Sequence, residues 1–301
     1  MRRASLRNLG RHRGIPRLRC RRLTCLITSV PPVQDFLASS SPTRQDDHRY
    51  TWDVPDGWQQ GRGAFGGLVL AALIRAFEAE QDRESEADGQ ALRALDATLC
   101  GPVLAQEAEI TVELLRAGSN TTTLIARLTQ EGTVRAHATA LFGARRVDDG
   151  DWSDLEAPEL GDWREASVAE LQAPLAPTFT QHMQFRPLSG FPFSGAEQLA
   201  VTGWTRPKHP GEPRDAAYLA ACMDAHWPAA FAKVTSPRPM ATVTFSMQFP
   251  GTFDGLDPDA PLYFRSECPV ARDGYMVEFR ELWGEDGRLL ALNQQTIAII
   301  K

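Results

Sequence analysis

Two segments of the chain carry apolar residues around most of their circumference. The first covers residues 68–80 and stays largely apolar until Glu78, directly after the glycine-rich stretch 61–67. The second covers residues 215–227, and Pro228 ends or bends it because proline cannot continue a regular helix. A helix that is apolar on most faces is buried, so the pattern predicts two central helices.

Segments in which apolar and polar positions alternate follow each predicted helix. In residues 108–114, Ala, Ile, Val and Leu alternate with Glu and Thr, which is the period of a half-buried strand. Short turns, such as 118–120 and 285–287, separate these segments and predict antiparallel meanders. The polar residues 81–89 predict a loop. The predicted strands are 50–54, 108–114, 123–129 and 133–142 in the first half, and 199–204, 242–249, 262–268, 275–283 and 289–300 in the second.

The order of helix and meander occurs twice, which predicts an α+β fold built as a tandem duplication. Each half is a buried helix covered by an antiparallel sheet, with the first half at residues 46–148 and the second at residues 178–301. Residues 149–177 begin with an acidic run and contain three prolines, so they predict a linker.

Charge separates residues 1–45 from the rest of the chain. This leader has ten Arg and one acid, which is typical of an organellar presequence or of an extension from a misassigned start near Val30 or Val33. Both interpretations place it outside the fold and predict disorder. The remaining residues have 22 basic and 37 acidic side chains, a net charge of −15, which disfavours nucleic acid as a partner.

Several classes of site and location are disfavoured. The five cysteines are widely spaced without a Cys-x-x-Cys pair, which predicts reduced thiols in the cytoplasm. No run of 18 uncharged apolar residues is present, so no membrane-spanning helix is expected. The histidines lack metal-ligand spacing, and no metal is expected. Gly61, Gly63 and Gly66 match Gly-x-Gly-x-x-Gly without a βαβ unit, so we expect no dinucleotide cofactor.

Two polar residues lie in apolar surroundings. Asp224 belongs to the second predicted helix, where a carboxylate loses hydration; it is either a base held in a pocket or a solvent-facing aspartate. Gln294 and Gln295 point to opposite faces of the last strand, so one faces the interior, as a site residue or a structural amide. Thr242 lies on the polar side of its predicted strand and is not selected by pattern alone. His226 is interpreted as a surface or packing residue.

The chain resembles the acyl-CoA thioesterase II family of double-hotdog proteins over roughly residues 50–300. The motifs that carry the resemblance are Arg62-Gly-Ala-Phe-Gly-Gly67, Trp204-Thr-Arg-Pro207, the helix 219–228 with its Asp, Ala241-Thr-Val-Thr-Phe-Ser-Met-Gln-Phe249, and Glu285-Asp-Gly-Arg-Leu-Leu-Ala291 followed by Gln295.

The resemblance implies a tandem hotdog fold and hydrolysis of acyl-CoA, as part of lipid metabolism and without a cofactor. It assigns Asp224, Thr242 and Gln295 to the orientation of a hydrolytic water. The interval between Asp224 and Thr242 is shorter than usual for the family. Because the first helix has no acid before Glu78, we predict one working site per chain.

Backbone N–H groups at a helix start are natural donors to an oxyanion, so we expect Gly66 and Gly67 to bind the acyl carbonyl. By analogy with other hotdog proteins, we expect a homo-oligomer, a dimer of double hotdogs.

Two alternatives stay open. The first is a hotdog hydratase or dehydratase that uses Asp224 and His226, although the Asp-x-Asn-Pro-x-His pattern of such enzymes is missing. The second is a non-catalytic acyl-CoA binding protein. The sequence does not indicate the length of the acyl chain.

Overall fold

Antiparallel strands from both halves of the chain form one sheet around two buried helices. The computed structural model describes residues 35–84, 89–146, 150, 152–171 and 176–300. The helices are α1 (Phe36–Ser39), α2 (Gly66–Glu84), α3 (Ala216–Ala225) and α4 (Ala230–Lys233), and Thr178–His182 forms a 3-10 turn.

In the described residues, 12 strands belong to this sheet, and a separate pair, β3 (Gln59–Gln60) and β4 (Gly63–Ala64), precedes α2. The sheet strands are β1 (Thr43–Asp46), β2 (Arg49–Asp53), β5 (Gln90–Leu99), β6 (Glu107–Ala117), β7 (Thr121–Gln130), β8 (Thr133–Ala144), β9 (Met183–Ser189), β10 (Ala200–Pro207), β11 (Met240–Gln248), β12 (Leu262–Arg272), β13 (Tyr275–Trp283) and β14 (Leu289–Ile299).

The order of the strands repeats from one half to the other. It is β1-β2-β6-β7-β8-β5-β11-β14-β13-β12-β10-β9. Counted toward the middle of the sheet from the strand next to edge strand β1, the first half has the run β2-β6-β7-β8-β5. Counted inward from the strand next to the opposite edge strand β9, the second half has the corresponding run β10-β12-β13-β14-β11. Each half is a hotdog, with its helix following the first of these strands, so the predicted tandem α+β fold is confirmed.

The two halves join where β5 pairs with β11, with Thr98 opposite Thr244 and Ala94 opposite Gln248. The sequence did not predict β5, because its apolar positions change phase. A register shift between Leu92 and Ala94 breaks the alternation, so Leu92 and Leu95 are both buried although they lie three residues apart. The short strands β1 and β9 were not predicted either.

Helices α2 and α3 pack against each other under the sheet. At Gly67, a Cβ atom would lie 2.9 Å from the Cα of Ala221 and would collide with the Phe65 ring, so glycine permits this close approach. Helix α2 continues to Glu84, and the prediction of a loop from residue 81 was wrong. Glu80 lies wholly buried in this last part, where it accepts a hydrogen bond from the Tyr50 hydroxyl (2.8 Å).

Residues 35–45 belong to the fold, whereas the sequence placed them in the leader. Phe36 is buried, and the backbone oxygen of Ser39 accepts a hydrogen bond from the Trp52 indole at 3.0 Å. Residues 1–34, which hold the rest of the predicted leader, lie outside the described residues. Among the helices that are described, none is long and apolar enough to cross a bilayer.

The described part of the predicted linker, residues 152–171, packs on the second half. Leu160, Trp163 and Ala166 cover a cluster of Trp204, Tyr263 and Trp283. The Ala169 N–H then donates to the Phe185 oxygen at 2.9 Å, which attaches the segment to β9.

Candidate active site

Helix α3 places one carboxyl group inside the protein. The Asp215 side chain caps the helix by accepting a hydrogen bond from the Tyr218 N–H at 2.9 Å, and the apolar residues that follow bury the helix on all sides. Asp224 lies in its last turn and is only 7% exposed. Burial raises the pKa of Asp224 to about 6, against the lowering effects of Arg280, Gln295 and the Gly67 N–H.

The three residues assigned by the family resemblance lie together. Gln295 is fully buried, and its Nε2 donates to Asp224 Oδ1 at 3.4 Å. The Thr242 Oγ1 donates to Gln295 Oε1 at 3.0 Å. Gln295 is thus the central member of a continuous chain of hydrogen bonds from hydroxyl to amide to carboxylate. Gln294, its neighbour, is exposed.

A bulge in β11 brings Thr242 to the inner face of the sheet. Phe245 lies opposite Gln295, and Thr242 lies opposite Ile297. Gln295 and Ile297 are two residues apart and share the inner face, but Thr242 and Phe245 are three apart. The register shift between Thr242 and Thr244 supplies the extra residue. Strict alternation therefore put Thr242 on the wrong face in the sequence analysis.

The start of α2 lies against the carboxylate. A Cβ atom at Gly66 would be 2.6 Å from Asp224 Oδ2, and the Gly67 N–H forms a hydrogen bond that lowers the Asp224 pKa. The first N–H groups of a helix have no partner within the helix and carry partial positive charge, which favours an anion there. Both predicted glycines therefore reach the site from the first half of the chain.

A buried ion pair next to the site was missed in the sequence. Arg280 is 2% exposed, and its Nε and Nη2 donate to Glu278 at 2.9 and 2.7 Å. Its Nη1 donates to the Met223 oxygen at 3.0 Å and lies 3.9 Å from Asp224 Oδ1. Glu278 also accepts from Ser266 and from the Ala229 N–H. Arg280 thus connects the end of α3 to the sheet beneath it.

Hydrophobicity alone conceals this pair. Along β13, Tyr275, Val277 and Phe279 alternate with Met276, Glu278 and Arg280, so the first set looks like the inner face. The structure has the opposite orientation, because Tyr275 is 57% and Phe279 51% exposed. The available signal was the acid and the base two residues apart on one face, in phase with Met276 and Leu282.

A cavity of about 160 Å³ opens beside Asp224, Thr242 and Arg280. Its wall is mainly apolar and aromatic, with contributions from α3, α4, β9, β11 and the segment before β9. The residues that form this apolar wall are Leu171, Phe179, Phe185, Phe193, Trp227, Pro228, Phe231, Met240 and Ile297. Such a lining suits a hydrocarbon group next to a few polar atoms.

His226 also lines this cavity, at the C-terminal end of α3. Its ring stacks on Phe264, with centroids 4.4 Å apart, and neither ring nitrogen has a hydrogen-bond partner among the described residues. Burial and Arg280 lower the His226 pKa to about 3. The imidazole is therefore neutral and packs as an aromatic ring. Of the two roles that the sequence suggested for His226, surface or packing, the structure shows packing. Within the described ranges, no group of three or more His, Cys, Asp or Glu side chains is placed to hold a metal ion.

Residues 54–143 match the acyl-CoA thioesterase N-terminal domain, and residues 153–299 match the acyl-CoA thioesterase C-terminal domain. Together these matches include most of the chain, which belongs to the acyl-CoA thioesterase family. No curated protein matches the chain in sequence.

Solved structures share the fold over nearly their whole length. A protein of unknown function with a hotdog fold from Alicyclobacillus acidocaldarius is 26% identical, with a TM-score of 0.76 over 88% of this chain and 98% of that one. The tesB protein of Mycobacterium avium subs paratuberculosis is 16% identical (TM-score 0.71, 88% and 98% covered). The acyl-CoA thioesterase II TesB2 of Mycobacterium marinum is 17% identical (TM-score 0.68, 88% and 98% covered).

Proposed function

We propose that the protein hydrolyses acyl-CoA thioesters to a free acid and CoA. The observation that carries this proposal is the hydrogen-bonded chain of Thr242, Gln295 and Asp224 beside an apolar cavity. Thioester hydrolysis needs a positioned water, a base for its proton and donors for the carbonyl oxygen. Membership of the acyl-CoA thioesterase family supports the same reaction class.

In the proposed reaction, Thr242 and Gln295 hold a water near Asp224. The water oxygen bonds to the acyl carbonyl carbon while Asp224 takes the proton, and the carbonyl π electrons move to oxygen. The intermediate then expels the CoA sulfur, and the proton passes from Asp224 to the departing thiolate. A pKa of about 6 suits this role, because the carboxyl is mostly ionised at neutral pH yet remains a usable base.

The two glycines at the start of α2 take different roles in this proposal. The Gly67 N–H forms a hydrogen bond that lowers the Asp224 pKa, so we assign it to orienting the base. The Gly66 N–H keeps the role of donor to the carbonyl oxygen, since the first N–H groups of a helix have no partner within it.

The test is release of free thiol from a panel of acyl-CoAs of different chain length. Asp224→Asn removes the base with little change of shape, and we expect a loss of roughly 10²–10⁴-fold in kcat. Wild-type protein that binds acyl-CoA but releases no thiol would instead be an acyl-CoA binding protein.

The hydratase alternative receives no support from His226. Its ring packs against Phe264, and a base with a pKa of about 3 is a poor proton acceptor at neutral pH. Hydration of an enoyl-CoA by the wild-type protein, measured as loss of the enoyl absorbance, would support that alternative.

We propose that the protein acts in the cytoplasm. Cys222 and Cys268 are buried free thiols, which is compatible with a reducing cytoplasm. We also propose that the protein has a role in lipid metabolism and that it forms a dimer of double hotdogs.

A further inference from the structure

A surface loop forms one side of the cavity beside Asp224. Residues 190–196, in the connection between β9 and β10, place Phe193 in the cavity wall, whereas Phe191 in the same loop is 51% exposed. The Phe193 ring packs against the ring of Phe231, with centroids 5.1 Å apart, and Phe231 lines the cavity as well. This aromatic pair therefore closes the cavity on the side of the loop.

Phe193 holds this position with an unusual backbone conformation. Its φ of 62° lies in the left-handed region, which bulky residues rarely adopt. Gly190 and Gly195 on either side have φ of 68° and 69°, which glycine adopts readily because it has no Cβ. A conformation of this kind in a bulky residue persists only where its surroundings hold it, and such conformations are concentrated at functional sites.

Hydrogen bonds attach the loop to other residues of the cavity wall. The Phe193 N–H donates to the Phe231 oxygen at 2.7 Å. The Trp227 indole N–H donates to the Gly190 oxygen at 2.8 Å, and Trp227 also lines the cavity. The ring of Phe193 is thus fixed relative to the rest of the wall.

The size of the cavity limits the group that it can hold. Its volume is about 160 Å³. Pockets that enclose drug-sized ligands have roughly 300–1,000 Å³, whereas an apolar cavity of roughly 150 Å³ holds one benzene molecule. A hydrocarbon group of about six carbons therefore fits beside Asp224, and a dodecanoyl chain exceeds the space.

From these observations we infer that Phe193 sets the upper size of the acyl group, so that the preferred substrates are CoA thioesters of short acids with about six carbons. This inference rests on the proposed thioesterase function. It names the substrate class and assigns the selection of chain length to a residue outside the candidate catalytic group.

The test compares hexanoyl-CoA with dodecanoyl-CoA, which differ only in chain length. Wild-type protein should have a kcat/KM for hexanoyl-CoA that is higher by roughly 10-fold or more. Phe193→Gly removes the ring and suits the left-handed backbone, so the ratio should fall to about one or reverse. Phe191→Gly removes an exposed ring from the same loop and is the matched control; it should change the ratio by less than about twofold.

A second variant tests the opposite change. Phe193→Trp narrows the cavity, so it should lower kcat/KM for hexanoyl-CoA roughly 10-fold and that for acetyl-CoA by less than about threefold. An equal loss with both substrates would contradict a role in size selection.

A binding measurement separates this inference from the proposed function. In calorimetric titration of Asp224→Asn, dodecanoyl-CoA should bind no more tightly than hexanoyl-CoA, because its extra methylenes stay outside the cavity. Adding Phe193→Gly should tighten the binding of dodecanoyl-CoA roughly 10-fold. If wild-type protein releases no thiol but this pattern is found, the size limit stands and the proposed function fails.

Three results would overturn the inference while leaving thioester hydrolysis intact. They are a wild-type preference for dodecanoyl-CoA, an unchanged substrate ratio in Phe193→Gly, and a change of the ratio in Phe191→Gly as large as that in Phe193→Gly. Thermal unfolding of each variant checks that it is folded when its activity is measured.

Discussion

At the scale of single residues, the ionised carboxylate of Asp224 lowers the stability of the folded protein. Its pKa of about 6 exceeds the ordinary value of 3.8, so the folded protein binds this proton more tightly than the unfolded chain does. Its contribution to stability is therefore fully present below about pH 4 and is lost as the pH rises through about 6. The ionised base required for hydrolysis is the less stable form of the protein.

The first residue-scale prediction concerns the pH dependence of activity. Because the proposed base must be ionised, kcat/KM should fall about tenfold per pH unit below roughly pH 6. His226 should not contribute to this profile, since its pKa is lowered to about 3. A pH–rate profile of wild-type protein is the measurement, and a flat profile between pH 5 and 7 would remove Asp224 as the base.

The second residue-scale prediction concerns the stability of the Asp224→Asn variant. Asp224→Asn should raise the free energy of unfolding at pH 7 by roughly 1–3 kcal/mol, because a neutral amide avoids the hydration loss of a buried charge. At pH 4 the gain should nearly vanish. Denaturant unfolding at both pH values tests this, and equal gains at both would contradict the raised pKa.

The third concerns His226, whose two ring nitrogens lack partners in the described structure. His226→Phe keeps an aromatic ring on Phe264 and removes the unpaired polar atoms. We expect the free energy of unfolding to rise by about 1 kcal/mol, with kcat changed less than about threefold. Thermal unfolding and thiol release measure the two effects, and a large loss of kcat would give His226 a direct role in the reaction.

At the scale of elements, the spacing of α2 and α3 depends on a missing side chain. Gly67→Ala would press a methyl group against Phe65 and Ala221, so we expect a loss of about 1–3 kcal/mol in unfolding free energy and reduced turnover. Gly101→Ala is the control, because a Cβ there would have its nearest neighbour at 3.7 Å. If Gly67→Ala matched this control in both measurements, the helix contact and the role of the Gly67 N–H would both be in doubt.

Much of the fold could be predicted from the sequence, because buried helices and regular strands leave clear periodic patterns. The predicted bounds of β13 agree with the structure. Asp224 and the pair Gln294 and Gln295 stood out as polar residues in apolar surroundings, and the family resemblance selected Gln295. The failures occurred where the period changes. Bulges in β5 and β11 shift the apolar phase, which concealed β5 and put Thr242 on the wrong face.

Arg280 and Glu278 illustrate a different difficulty. A buried ion pair contradicts hydrophobic patterning, because each charge is tolerated only with a partner that lies elsewhere in the fold. The Met223 oxygen in α3, Ser266 in β12 and the Ala229 N–H just before α4 supply those partners, and only the folded chain brings them together.

At the scale of the whole molecule, the candidate site is assembled from both halves. Gly66 and Gly67 come from the first, and Asp224, Thr242 and Gln295 come from the second. We therefore predict that separately expressed fragments 35–148 and 150–301 are each inactive, and that mixing them restores at least part of the thiol release. Activity in the second fragment alone would show that the α2 start is not needed.

In the described residues, the strands of the first half have apolar side chains at the positions that correspond to the candidate site of the second. Where β14 presents Asn293 and Gln295 inward, the corresponding strand β8 presents Ala136, Ala138 and Ala140, and β7 presents Leu124 and Ala126 where β13 has its ion pair. Covalent fusion lets the copies diverge in this way, since each needs to satisfy only its own task. We expect only the second half to bind the reacting group. A tight inhibitor that mimics the tetrahedral adduct should therefore saturate the protein at one molecule per polypeptide.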